Sequence, residues 1–204
     1  MPGGRRPLKI CDLTQFYSPV SGGVRRYIEQ KGAYIRKHRP DCQHIVIVPG
    51  EKTGSFGDEF ARTYTIASPL LSRTSRYRAL VKLHLIEEAL EKERPDIIES
   101  GDPYQVAWKA VASGRGLDIP VVGFYHSHFP EAYFRTIAKY FGPLAVSVTD
   151  EICRKYVTTL YNRFERTFVP SPVLARLLRN WGVERIHTVD LGVDSEVFTP
   201  DIDD

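Results

Sequence analysis

Three places in the chain hold residue types that could do chemistry. Gly22 and Gly23 stand between an apolar run and the helical spacing of Val24, Tyr27, Ile28 and Ile35. Glycine lacks a Cβ, allows positive φ and lets backbone N–H groups come close to a ligand. At a helix N-terminus those groups have no internal partner and favour an anion, so the pair could hold a phosphate. It could also be no more than a tight strand-to-helix turn. His126 and His128 alternate in "FYHSHFPEAYF", so both could point the same way along an extended segment. A two-histidine metal site lacks an evident third ligand, and no metal or other cofactor is expected. At the end of an apolar run, His126 reads as a hydrogen-bonding or acid–base residue in a cleft, or as a satisfied structural histidine. Glu99 and Asp102 in "ESGDP" could bind hydroxyls, and Asp102 could instead cap the helix that follows. Neither GxGxxG nor GxxxxGKT occurs, so nicotinamide and P-loop readings lack their signature.

The elements that must position these residues alternate along the chain. Short apolar runs at 8–13, 42–48, 63–67, 96–99, 120–125, 167–169 and 185–191 read as strands. Amphipathic helices are expected after Gly23, over 76–93, over 104–113, near 131–141 and 149–161, and from Ser171-Pro172, an N-cap followed by a first-turn proline. Residues 51–58 read as a glycine-rich loop. Such alternation predicts an α/β, Rossmann-like parallel sheet with helices on both faces. In such a sheet ligands bind outside the carboxyl ends of the strands, which brings loops 14–23, 99–103 and 126–130 to one cleft.

Composition narrows the class of protein. A chain of 204 residues, 42% hydrophobic, can bury a core without staples. Cys11, Cys42 and Cys153 are odd in number and far apart, which suits reduced thiols in the cytoplasm rather than a disulfide framework. No apolar run is long enough to span a bilayer. A net charge of +3 is too small to argue for nucleic acid. Arg73, Arg76, Arg78 and Lys82 do cluster, either as a solvated face or as a contact for an anionic lipid surface or an acidic substrate.

Four stretches in order carry a resemblance: "YSPVSGGVRRYI", "YHSHFPEAYF", "FERTFVPSPVLARLLRNWGVERI" and "VDLGVDSEVFTP". Together they resemble the N-terminal half of family 4 retaining glycosyltransferases, which have the two-domain GT-B fold. The likeness is greatest to members that add mannose or similar sugars to lipid and glycolipid acceptors. The last stretch is similar to the family's interdomain segment, with Asp190-Leu191-Gly192 where Asn-Gly is usual. The resemblance implies an acceptor-binding domain over 1–194 and the start of an interdomain linker over 195–204, with the donor-binding C-terminal domain absent.

It also implies roles for residues. Gly22 and Gly23 would approach the donor diphosphate and the transferred sugar. His126 would contact that sugar at the reaction centre. Tyr17, Asp102, Ser127 and His128 are substrate-binding candidates by their place beside these residues, and Arg73 and Arg76 are candidates for membrane or acceptor contact. The implied partners are a nucleotide sugar, a lipid or glycan acceptor, the missing domain and the inner face of a membrane, with no nucleic acid. Alone, this half is expected to fold but to transfer no sugar. Two other readings stay open: a stand-alone binding module of the same fold, and half of a non-hydrolysing sugar-nucleotide epimerase.

Overall fold

The computed structural model describes residues 6–20, 22–126 and 143–192, with side chains from 146 onward in the last segment. Eight strands form one sheet in the order β3-β4-β2-β1-β5-β6-β7-β8. They are β1 (Leu8–Leu13), β2 (Cys42–Gly50), β3 (Gly54–Gly57), β4 (Ala61–Ala67), β5 (Ile97–Ser100), β6 (Val121–Phe124), β7 (Arg166–Val169) and β8 (Ile186–Thr188). All pairings are parallel except β3 with β4. The described helices are α1 (Gly23–His38), α2 (His84–Glu93), α3 (Gln105–Leu117), α4 (Pro143–Tyr161) and α5 (Pro172–Asn180).

The period-2 geometry of the strands sorts the core into two layers. On β2, Ile45 and Ile47 join the large cluster that also takes Ile86 and Leu90 of α2, Val106 and Ala110 of α3, and Leu160 of α4. Val46 and Val48 point the other way and pack with Ile28 of α1. Both faces are therefore covered, as a parallel sheet requires.

Three expectations change. The stretch 51–58 contains β3, an exposed antiparallel edge strand that reads as a loop because neither of its faces is buried. The helix expected over 76–93 begins only at His84. Arg76 takes a left-handed φ of 53°, and Leu70 pairs with Arg78 in a short bridge, so 70–80 is a folded-back loop. Leu80 is nonetheless fully buried, which is why the apolar spacing imitates a longer helix. Third, Gly114 does not end α3, which runs on to a left-handed Asp118. A Cβ at Gly114 would lie 2.3 Å from Val121, so this glycine allows the helix to sit close on β6. The expected helix at 131–141 and the linker at 195–204 lie outside the described residues.

Candidate functional site

The strand order reverses at β1, whose neighbours are β2 on one side and β5 on the other. The carboxyl ends of β1 and β5 therefore splay their loops apart and open a crevice at that point. Residues 14–20 lead along one wall, where Phe16 and Val24 line the crevice, and 101–104 form the other, with His126 just past the end of β6.

Asp102 ties the walls together. Its Oδ2 accepts from Thr14 Oγ1 at 3.0 Å and from the Gln15 backbone N–H at 2.6 Å, and its Oδ1 accepts from the Tyr104 N–H at 3.3 Å. Burial pushes its carboxyl up to about 6, and these three donors pull against that shift. The carboxylate is thus spent on shaping the loops, with 3% of the residue exposed. The capping role expected for Asp102 takes a modified form. Tyr104 is the N-cap of α3, and Asp102 holds its N–H from two residues upstream.

Gly22 is the N-cap of α1, at φ 48° and ψ −170°, a conformation in which a side chain is strained. It offers no side chain to cap the helix, and no acidic residue lies in the first turn, while Arg36, Lys37 and His38 fill the last. Among the described residues no side chain caps the first N–H groups, and they keep their positive field. Beside them is an open cavity of about 330 Å³ lined by Gly22, Arg25, Arg26 and Glu29. Arg25 is held there by Glu29 at 2.7 Å and the Pro19 carbonyl at 2.9 Å. Gly23 has no atom within 4 Å of the place a Cβ would take, so a side chain there would project into open space. Tyr17 packs beneath α1 against Ile28, Val46 and Val48, with the Arg25 guanidinium 5.9 Å from its ring centre.

The His126 ring stacks on Phe124 at 4.1 Å and receives the edge of Tyr27 at 5.3 Å. Its Nε2 is buried and has no hydrogen-bond partner among the described residues. Burial pushes the imidazole down to about 4; the Lys31 charge adds to that and Asp12 opposes it. His126 is therefore neutral around pH 7, with one ring nitrogen unsatisfied, an arrangement that costs stability unless a ligand completes it. Ser127 and His128 lie outside the described residues.

Beneath α1 runs a buried ionic network that the sequence reading did not assemble. Lys31 Nζ lies 2.7 Å from Asp12 Oδ1 and 2.8 Å from Glu99 Oε2. His44 Nε2 is 2.5 Å from the other Asp12 oxygen, and the Tyr27 hydroxyl donates to Glu99 Oε1 at 2.9 Å. Burial disfavours the Lys31 charge, but Asp12 and Glu99 outweigh it and hold the ammonium well above its usual range. Burial raises the Glu99 carboxyl, and Asp12 adds to that rise. Asp12 itself is kept low by Lys31 and His44 despite its burial. Glu99 thus faces Lys31 and Tyr27 and is not placed to bind a substrate hydroxyl. A carboxylate inside each of the apolar runs "LKICDL" and "DIIE" was the available signal.

Arg73, Arg76 and Lys82 are exposed on and beside loop 70–80. Arg78 is not free like them: it bonds the Ser68 carbonyl at 2.8 Å and Glu51 at 2.7 Å. Cys11, Cys42 and Cys153 are all buried and free. Among the described residues no helix is long and apolar enough to cross a membrane, and no group of three or more His, Cys, Asp or Glu could hold a metal ion.

Comparison with known proteins adds four findings. The model of Glycosyltransferase Family 4 matches residues 21–197. A GDP-mannose-dependent alpha-mannosyltransferase of Corynebacterium glutamicum is 26% identical over 96% of this chain and 46% of its own length. One of the same description from Mycobacterium tuberculosis is 21% identical over 95% of this chain and 50% of its own. The chain thus spans about half the length of these two relatives. A solved sucrose-phosphate synthase structure from Thermosynechococcus elongatus superposes with a TM-score of 0.58 at 13% identity, covering 93% of this chain and 92% of that one. This last likeness is one of fold.

Proposed function

Because the chain belongs to glycosyltransferase family 4, we propose that it is the acceptor-side half of an enzyme that moves mannose from GDP-mannose to a lipid, glycolipid or glycan acceptor with retention of configuration. The donor is suggested by the names of the two mannosyltransferase relatives. The observation that carries the reading is the crevice at the β1/β5 switch point. Val24, in the first turn of the helix that Gly22 opens, lines one cavity there with His126, whose Nε2 has no partner among the described residues.

These groups suit glycosyl transfer. Departure of a nucleoside diphosphate leaves negative charge, and fixed N–H dipoles with nearby cations stabilise it without reorganisation. Gly22, Gly23 and Arg25 supply that field from this half. Neutral His126 can hydrogen-bond a hydroxyl of the transferred sugar, and Asp102 keeps both walls in place around it. Tyr17, Ser127 and His128 are the further substrate contacts in this reading, with no metal required. Residues 1–194 form the domain and 195–204 begin a linker to a second, donor-binding domain of the kind the longer relatives have room for. Arg73 and Arg76 bring the crevice to an anionic membrane face on the cytoplasmic side.

The test joins the chain to such a second half in one polypeptide and follows GDP release from GDP-mannose with lipid or glycan acceptors. Acceptor-dependent release that is lost in His126→Ala supports the proposal. Tight GDP-mannose binding by the 204-residue chain alone would instead favour a stand-alone binding module. Family membership argues against the epimerase half.

A further inference from the structure

His126 is held from two directions. Phe124 lies flat against it, with ring centres 4.1 Å apart and planes 10° from parallel. Tyr27 stands across both rings, 5.3 Å from His126 at 72° and 5.4 Å from Phe124 at 62°. Being about equally far from the two, it sits beside the stack rather than on it. The difference matters for the imidazole. The χ2 torsion of histidine is broad and roughly two-fold. A flat stack does not tell apart the two ring orientations related by a half-turn, which carry Nε2 to different places. A neighbour at the side of the ring does.

Tyr27 is itself tethered. Its hydroxyl donates to Glu99 Oε1 at 2.9 Å, while Lys31 Nζ bonds the other Glu99 oxygen at 2.8 Å and Asp12 Oδ1 at 2.7 Å. Burial and the Glu99 charge hold the Tyr27 hydroxyl above its usual range, so it stays a donor. Tyr27 and Lys31 are one helical turn apart on α1, with Nζ 5.4 Å from the Tyr27 ring centre. Tyr27, Glu99, Gly101 and His126 line one narrow gap. A Cβ on Gly101 would lie 3.9 Å from His126 Nε2 and 3.3 Å from the Thr14 Cβ, so the glycine leaves room beside that nitrogen.

Stability alone is a weak reason for such a network. Buried ion pairs add little over well-packed apolar residues of similar volume. What they supply is direction. A hydroxyl bonded to a carboxylate that a lysine already fixes has one place to be, and the ring that carries it is held with it. A reacting group needs this kind of support, because a displacement of about 1 Å can cost roughly 10²-fold in rate.

We propose that Tyr27 is a positioning residue for glycosyl transfer: anchored by Glu99 and Lys31, it fixes which way the His126 imidazole faces and so sets Nε2 beside Gly101 at the crevice. This rests on the reading of His126 given above and adds a residue that touches no substrate and acts through His126. Tyr27 also stands one turn after Gly23 on α1. The helix end that faces the diphosphate and the support for the imidazole therefore belong to one rigid element, and a shift of one moves the other.

NMR of the histidine rings in the 204-residue chain tests the geometry without donor or acceptor. The unaltered chain should give a single set of His126 ring signals, displaced by the ring current of Phe124. Tyr27→Leu, which keeps apolar bulk, should double or average that set as the ring samples both orientations. Tyr27→Phe and Glu99→Leu, which cut the tether, should broaden it. Glu99→Gln, whose amide still accepts from the Tyr27 hydroxyl, should keep it single. Arg78→Ala should lower the thermal midpoint and leave it single, which separates position from stability. In the joined enzyme described above, Tyr27→Phe should lower kcat about tenfold, the scale of one hydrogen bond. KM for GDP-mannose should stay within about twofold, and Glu99→Gln should retain most of the kcat that Glu99→Leu loses. An unchanged set of His126 signals in folded Tyr27→Leu, or unaltered kcat in Tyr27→Phe and Glu99→Leu, overturns the proposal. A joined enzyme that releases no GDP would sink the transferase reading, while the ring signals would still decide whether Tyr27 sets the imidazole.

Discussion

Thr14 and Asp102 face each other across the point where the strand order reverses, with the Thr14 hydroxyl donating to the Asp102 carboxylate over 3.0 Å. The buried carboxyl that accepts this bond gives stability a measurable pH dependence. The Asp102 carboxyl is pushed up to about 6 in the folded chain, chiefly by burial, against an ordinary value of 3.8. Between those two values the folded chain keeps a proton that the unfolded chain has released. This group's contribution therefore falls as pH rises from about 4 to about 6 and is level above, a change of about 3 kcal/mol. Asp102→Asn should remove that slope. Urea midpoints of both proteins at pH 4.5 and 7 check it, and a stability difference that does not move with pH contradicts it.

For His126 the expected effect is on rate. His126→Ala in the complete enzyme should lower kcat by about 10²-fold or more, the scale of one positioned polar group. Since burial holds the imidazole at about 4 rather than 6.5, this residue should add no limb to the pH–rate profile between about 5 and 8. Its effect on stability runs opposite to that of Asp102. The unfolded chain takes up the proton first as pH falls from 6.5 towards 4, so stability is lost over that window. A kinetic limb near 6.5 that disappears in His126→Ala would show a charged, solvent-exposed ring.

The two glycines should separate. Gly22→Ala places a side chain at positive φ and should destabilise the chain by about 1–3 kcal/mol. Gly23→Ala should leave the thermal midpoint unchanged, because its Cβ meets nothing, but should slow turnover by crowding the diphosphate. Thermal melts with steady-state kinetics decide between these outcomes. A Gly23→Ala enzyme of full activity would return the pair to a turn.

Lys31→Met should destabilise the chain by about 3–5 kcal/mol, since it leaves Asp12 and Glu99 buried without their cation. Adding Asp12→Asn and Glu99→Gln to the same chain should recover much of the loss. Urea unfolding of the single and triple variants measures both steps.

Arg73, Arg76 and Lys82 should each contribute about 1 kcal/mol to binding of phosphatidylserine vesicles, so replacing all three by Ala should weaken co-sedimentation by roughly 10²-fold at low salt. Arg78→Ala should instead lower stability, because Arg78 already serves Ser68 and Glu51. Binding that ignores salt, or that survives the triple change, returns these residues to a solvated face.

Which parts of this could be read from the sequence follows from how local each cause is. The runs at β1, β2, β5 and β6 announce themselves because a strand buried on both faces is continuously apolar. Strand β3 does not, since its Gly-Ser-Phe-Gly is exposed throughout. The start of α2 is obscured because Leu80 and Leu83 keep a helical spacing while the backbone turns at Arg76. At the site, Gly22 and His126 stand out by type and position. Lys31 does not: it is one charge among several on an amphipathic helix. Its partners Asp12 and Glu99 come together because β1 pairs with β5 in that register. The contacts of Phe16 with Tyr77 and Tyr104, at ring-centre distances of 5.1 and 5.2 Å, are hidden for the same reason, as the three residues are distant in the chain and each looks like an ordinary loop residue.

The central place of β1 also bears on how the chain is made. Strand β1 precedes the other seven described strands in synthesis and can pair early with β2, as Leu8 does with Cys42. Its other edge waits for β5, where Ile10 meets Ile97. At about 5–20 residues per second of synthesis, that edge stays open for several seconds, with Cys11 and Leu13 uncovered beside it. During this interval the nascent chain is most open to pairing with another copy of itself or to capture by a chaperone. Closure of that edge also sets Asp12 against Glu99, so the pairing that ends this exposure also assembles the floor of the crevice, before β6, β7 and β8 extend the sheet.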